Sequence, residues 1–153
     1  MSGRLTLLIA IADGEHARFV QPDANNEPRT IGSIDSAAAH LRSRDIGTDR
    51  PGRQSESATI GHHAVGQRHD LHAMEKERFA RLIADQIRDR IRQFDELLLI
   101  APPRVLQEIR EALSSACSAK LIGTLEKDLV KTPDHELWPH LREWVSAPQR
   151  PVT

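Results

Sequence analysis

The chain has 153 residues, a size that suits one domain able to bury roughly 70% of its unfolded surface. With 39% hydrophobic and 28% charged residues the composition is that of an ordinary globular protein, and three Phe, two Trp and no Tyr leave the core to aliphatic side chains. A net charge of −1 gives no global attraction to nucleic acid or membrane, and the lone Cys117 excludes an intramolecular disulfide.

The charge is unevenly spread. Met1 to Asp35 holds three basic and five acidic residues, whereas Ser36 to His69 holds five Arg against three acids, together with His40, His62, His63 and His69. Arg4 and the apolar run Leu5 to Ala12 mimic a short secretory signal, but cleavage there would remove an excellent strand. Without a long apolar span, a cytoplasmic location and no membrane contact are expected.

Leu5 to Ala12 is nearly continuous in apolar residues, as a strand buried on both faces must be. Asp13-Gly14 opens a hairpin loop of Asp13 to His16, and Ala17 to Val20 returns as a second strand. Pro22 to Pro28, with Asn25-Asn26, turns the chain again. Thr30 to Ile34 follows as a third strand, and Gly32 marks it for the sheet edge.

From Asp35 to His69 no period persists, and Gly47-Thr-Asp-Arg-Pro-Gly-Arg53 is turn chemistry throughout. Loops this long are uncommon in compact domains unless they are disordered or functional. Leu71 to Gln93 then reads as the longest helix, with Asp70 as N-cap and Phe79, Ile83, Ile87 and Ile91 as the buried stripe. Glu77 with Arg81, and Arg81 with Asp85, have the spacing of surface ion pairs.

Leu97 to Ile100 is a second doubly buried strand. Pro102 and Pro103 end it and open a helix whose stripe is Val105, Leu106, Ile109 and Leu113. Ser114 to Ala119 is a small-residue connector, Leu121 to Leu125 a last strand, and Thr132 with Pro133 starts a final helix bearing Leu137, Trp138, Leu141, Trp144 and Val145. Pro139 must shorten that helix or move its start. The pattern predicts a single α/β domain over residues 1–147, with a basic loop at 35–69 and a tail at 148–153. Placing the two most apolar strands inside and making crossovers right-handed gives a mixed five-stranded sheet of order 3-2-1-4-5 with strand 2 antiparallel. That is a three-layer, ribonuclease H-like arrangement.

In such a sheet ligands bind beyond the carboxyl ends of the strands, where Ala101 to Arg104 stand. Asp13 would occupy the position of a nuclease's first metal-binding carboxylate, but Ala101-Pro102-Pro103 offers no second one, so a turn role is preferred. His69, Asp70, His72 and Glu75 could form a mixed nitrogen and oxygen metal site at a helix start, although capping and solvent-exposed histidines explain the same residues. Cys117, among small residues, reads as packing. Gly47 to Gly52 lacks the Lys-Ser/Thr ending of a phosphate-binding loop, and no cofactor is expected. Arg50 within it and Arg53 just after it could still hold phosphate oxygens of RNA without reading sequence. The candidate RNA or partner contacts are therefore Thr48, Asp49, Arg50, Gly52, Arg53, Gln54 and Arg104.

Ala12-Asp-Gly14 with Ala17-Arg18, Gly47-Thr-Asp-Arg-Pro-Gly-Arg53, Asp70 and His72, Arg78-Phe-Ala80, Ala101-Pro-Pro103 and Glu126-Lys-Asp-Leu129 with Pro133 resemble the bacterial host-attachment protein family over almost the whole chain. The resemblance implies a role in attachment of bacteria to host cells. The family is in turn similar to the middle domain of archaeal and eukaryotic peptide-chain release factors, in which a Gly-Gly-Gln loop precedes a helix beginning with Arg-Phe. Pro51-Gly-Arg-Gln-Ser55 and Arg78-Phe79 have the corresponding order, but Arg53 stands between Gly52 and Gln54. The resemblance thus implies association with the ribosome or RNA in place of peptidyl-tRNA hydrolysis. A protein-interaction module acting indirectly in attachment, and a metal-dependent hydrolase using His69 to Glu75, are the alternatives.

Overall fold

Two runs of aliphatic residues decide the architecture. In the computed structural model, which describes residues 6–37 and 64–148 (the stretch 64–73 as backbone only), they form the adjacent central strands β1 (Leu7–Ala12) and β4 (Glu96–Ile100). These pair in parallel, from Leu7 opposite Glu96 to Ile11 opposite Ile100. Strand β2 (His16–Pro22) folds back antiparallel on β1, β3 (Pro28–Asp35) folds back on β2, and β5 (Leu121–Leu125) lies parallel to β4. The sheet order β3-β2-β1-β4-β5, with β2 alone reversed, is the one expected from the sequence.

Successive side chains on a strand point to opposite faces, and here both faces are dry. Leu8, Ala10, Leu97 and Leu99 pack beneath α1 (Ala64–Arg90) and α2 (Pro103–Ala112), against Phe79, Ile83, Ile87, Leu106 and Ile109. Cys117, on the short helix α3 (Ser115–Ala119), completes that layer as a fully buried packing residue. Leu7, Ile9, Ile11, Leu98 and Ile100 face the other way, onto Leu129, Leu137, Leu141 and Val145 of the C-terminal segment. Trp138 and Trp144 close the second core from outside.

The joints follow from local chemistry. Pro102 is the N-cap of α2 and Pro103 opens its first turn, where the absent N–H costs nothing. Asp23 accepts hydrogen bonds from the Asn25 and Glu27 amides at 2.8 and 3.0 Å, and Asn26 takes the positive φ of 64° that its side chain tolerates. Lys120 donates to the carbonyls of Ile91 and Phe94 at 3.2 and 2.8 Å, satisfying acceptors at the end of the α1 layer. Asp95 accepts from the Thr6 amide and hydroxyl, and these bonds hold its carboxyl below the usual range.

Each edge strand carries a glycine on which a large side chain rests. A Cβ at Gly32 would stand 2.6 Å from Arg90 Nη2, and one at Gly123 2.7 Å from Trp144 Nε1. The Arg90 guanidinium carbon also lies 4.6 Å from the centre of the Phe19 ring, so the missing side chain at Gly32 leaves room for a cation over that ring.

Several expectations are corrected. Helix α1 starts at Ala64, so Asp70 lies within it and is not its N-cap, and the loop expected over 35–69 ends earlier. The apolar stripe that signals a helix appears only where there is a sheet to cover: Phe79 is buried, while residues 74–78 are exposed. Ser114 to Ala119 is no mere connector; Ser114 caps α3 by accepting from the Cys117 amide at 3.2 Å. The last helix breaks into a 3-10 turn (Asp134–Glu136), capped by Pro133 and not by Thr132, and the four-residue α4 (Trp138–Leu141). Pro139 lies in the first turn of α4 and cannot continue the hydrogen-bond ladder of a helix begun at Pro133. On α1 Glu77 approaches Arg81 at 3.9 Å, but Asp85 faces Arg88 at 3.5 Å rather than Arg81. Such exposed pairs contribute little.

Candidate functional site

Four of the five strands run in one direction. Their carboxyl ends, at Ala12, Asp35, Ile100 and Leu125, share one rim, and β2 begins there at His16. Helix α1 runs against β4, so its start belongs to the same side. Its 27 residues extend about 40 Å, against about 20 Å for β1, and the helix therefore overshoots the rim.

Asp13 spends its carboxylate on the turn: Oδ1 accepts from the Glu15 and His16 amides at 2.8 and 2.6 Å. His16 Nδ1 stands 3.5 Å from the same oxygen. Neither this group nor any other set of three His, Cys, Asp or Glu among the described residues could hold a metal ion. Glu75 is exposed on α1, and the side chains of His69, Asp70 and His72 lie outside the described residues. Arg104 does stand at the rim, in the first turn of α2, exposed and 3.7 Å from Glu108. Thr48, Asp49, Arg50, Gly52, Arg53 and Gln54 lie outside the described residues.

At the corner where β2 starts and β3 ends there is a cavity of about 430 Å³. Its walls come from His16–Arg18, Ser33–Asp35, Leu82 and Gln86 of α1, and Val130–Lys131. It thus receives residues from the sheet and from both covering layers.

One wall of this cavity belongs to a buried clamp that sequence reasoning passed over. The Arg18 side chain, 12% exposed, donates through Nη1 to Asp134 Oδ1 at 2.9 Å and through Nη2 to the carbonyl of Leu129 at 2.8 Å and that of Thr132. Asp134 in turn accepts from the Thr30 amide at 2.9 Å and the Thr30 hydroxyl at 2.6 Å. Burial pulls the Arg18 pKa down, with Asp134 partly offsetting it. For Asp134 burial would raise the carboxyl pKa, but the Thr30 hydrogen bonds and the charges of Arg18 and Arg29 outweigh it and leave the net shift downward. The clamp ties β2 and β3 to the C-terminal layer. A signal was present in the sequence: a cation between Ala17 and Phe19, on a strand buried on both faces, must find a partner.

These features define a three-layer α/β domain whose carboxyl rim carries a mixed polar and apolar cavity. The family model described as "Protein required for attachment to host cells" matches residues 8–141. The chain belongs to this host-attachment family. No curated protein matches the sequence.

Proposed function

We propose that this host-attachment family protein is a cytoplasmic, non-enzymatic domain that binds RNA or the translation apparatus through Thr48, Asp49, Arg50, Gly52, Arg53 and Gln54, joined by Arg104. The observation that carries the reading is strand direction: β3 brings the chain to the carboxyl rim at Asp35, and α1 leads it back from the same side. The described chain thus leaves the sheet, ahead of the Arg-bearing segment, on the rim where Arg104 is exposed. Arginines there neutralise phosphates and release counterions, which gives affinity without sequence choice.

The sheet order and the two covering layers support a ribonuclease H-like assignment and, with it, kinship to the release-factor middle domain. Arg53 interrupts the Gly-Gly-Gln order, so the activity proposed is association and not peptide release. The family description names attachment to host cells, and a second reading is that the chain is a protein-interaction module acting in it indirectly, for instance by binding a regulatory protein. No described helix is long and apolar enough to cross a membrane.

Cosedimentation with ribosomes across a salt series tests the first reading. Binding should weaken steeply as salt rises, and the Arg50→Ala/Arg53→Ala double variant should flatten the log–log slope by about 1.4 if both contact single-stranded phosphates. Salt-insensitive capture of a protein partner, unchanged in that variant, would instead establish the second reading.

A further inference from the structure

We propose that the outer edge of β5 pairs with β5 of a second copy of this chain, antiparallel about a two-fold axis at Gly123, to give one sheet that runs through both copies. The inference goes beyond the RNA-binding reading and does not depend on it. The sheet ends at β3 on one side and at β5 on the other, and an open edge offers N–H and C=O groups to another strand. Each edge strand carries a bulge, at Ile31 in β3 and at Ile122 in β5, and each of these isoleucines is 40% exposed. The difference lies in what else blunts them. Strand β3 begins with Pro28 and the charged Arg29, and its Thr30 amide already donates to Asp134. Strand β5 holds neither proline nor charge, and among the described residues only β4 and the adjoining Ala101 bond to its backbone.

The partner that fits this edge is the same sequence reversed. Antiparallel pairing about Gly123 sets Leu121 against the partner's Leu125, Ile122 against the partner's Thr124, and Lys120 against the partner's Glu126. Glu126 is exposed and makes no ion pair among the described residues. Beside Leu121 lies a cavity of about 420 Å³, lined by Arg110, Leu113 and Ser118, and Arg110 is likewise exposed and without an ion pair among the described residues. Glu111 in the same wall already accepts from Gln107 at 3.3 Å. The reversed strand delivers its Glu126 to this end of β5, so a carboxylate without a partner meets the positive charges of Lys120 and Arg110. Near the axis, half-buried Trp144 rests on Gly123 with its indole N–H unpartnered among the described residues, which places one tryptophan from each copy at the seam. The contact is isologous and the β3 edges are blunted, so assembly stops at the dimer.

Sedimentation velocity of the full chain over a concentration series tests this. A monomer–dimer equilibrium at micromolar concentrations is expected. Ile122→Lys, at an exposed position, should weaken the dimer roughly tenfold or more while the circular dichroism stays unchanged. Glu126→Lys sets like charges against Lys120 and should also weaken it, by roughly tenfold. Ile31→Lys, the same change at equal exposure on β3, should leave the dimer intact. A monomer at every concentration, a dimer that tolerates Ile122→Lys or Glu126→Lys, or one dissolved by Ile31→Lys, overturns the proposal.

Discussion

Arg18→Ala should lower stability by about 3 kcal/mol, because it strands the Asp134 carboxylate and removes the donors that hold the Leu129 and Thr132 carbonyls. Asp134 retains its Thr30 bonds and is partly solvated, which keeps the loss at the lower end for a broken buried pair. Replacing both partners, as Arg18→Met/Asp134→Leu, should cost less than the two single changes added together, since neither charge is then left alone. Urea unfolding of the four proteins measures this, and a loss below about 0.5 kcal/mol for Arg18→Ala would mark the clamp as incidental. The pH dependence has a fixed sign. A carboxyl whose folded pKa is depressed contributes stability that is present above its unfolded value, near 4, and is lost as pH falls through the folded value. Asp134→Asn should therefore remove part of the acid-side loss.

The second large effect is expected at β4. Leu98→Ala and Leu99→Ala should each cost about 3–5 kcal/mol, because both side chains are fully buried, one in each core. A strand with one wet face would instead show one costly and one nearly neutral change. Optical signals separate the faces. The chain's two tryptophans both pack on the Leu98 core, so Leu98→Ala should alter native tryptophan emission while Leu99→Ala leaves it close to normal until global unfolding. Equal emission changes in both variants would contradict the separation of the two cores.

What could be read from the sequence was set by burial. Unbroken apolar runs at Leu7–Ala12 and Leu97–Ile100 could only be central strands, and Gly32 belonged to an edge. The topology followed from those placements. The extension of α1 to Ala64 was not legible, because a helix that passes beyond its sheet has no apolar stripe to show. Pro139 announced a defect in the last helix but not its form, since a 3-10 turn and an α-helix differ by one hydrogen-bond step. For the site, the β4–α2 turn could be read from its prolines, and Arg104 stands there. The cavity could not, because it depends on the residues that β2 and β3 bring together from opposite ends of a hairpin, with α1 and Lys131 closing over them.

The central claim is that the carboxyl rim is the working surface. Hydrogen–deuterium exchange of the full chain, with and without ribosomes, tests it most directly. The account predicts slowed exchange in residues 13–16, 33–37, 47–54 and 101–105, with the opposite rim around Phe94–Glu96 and Lys120 unchanged. Protection confined to that opposite rim, or ribosome binding with no protection at the carboxyl ends of the strands, would contradict it.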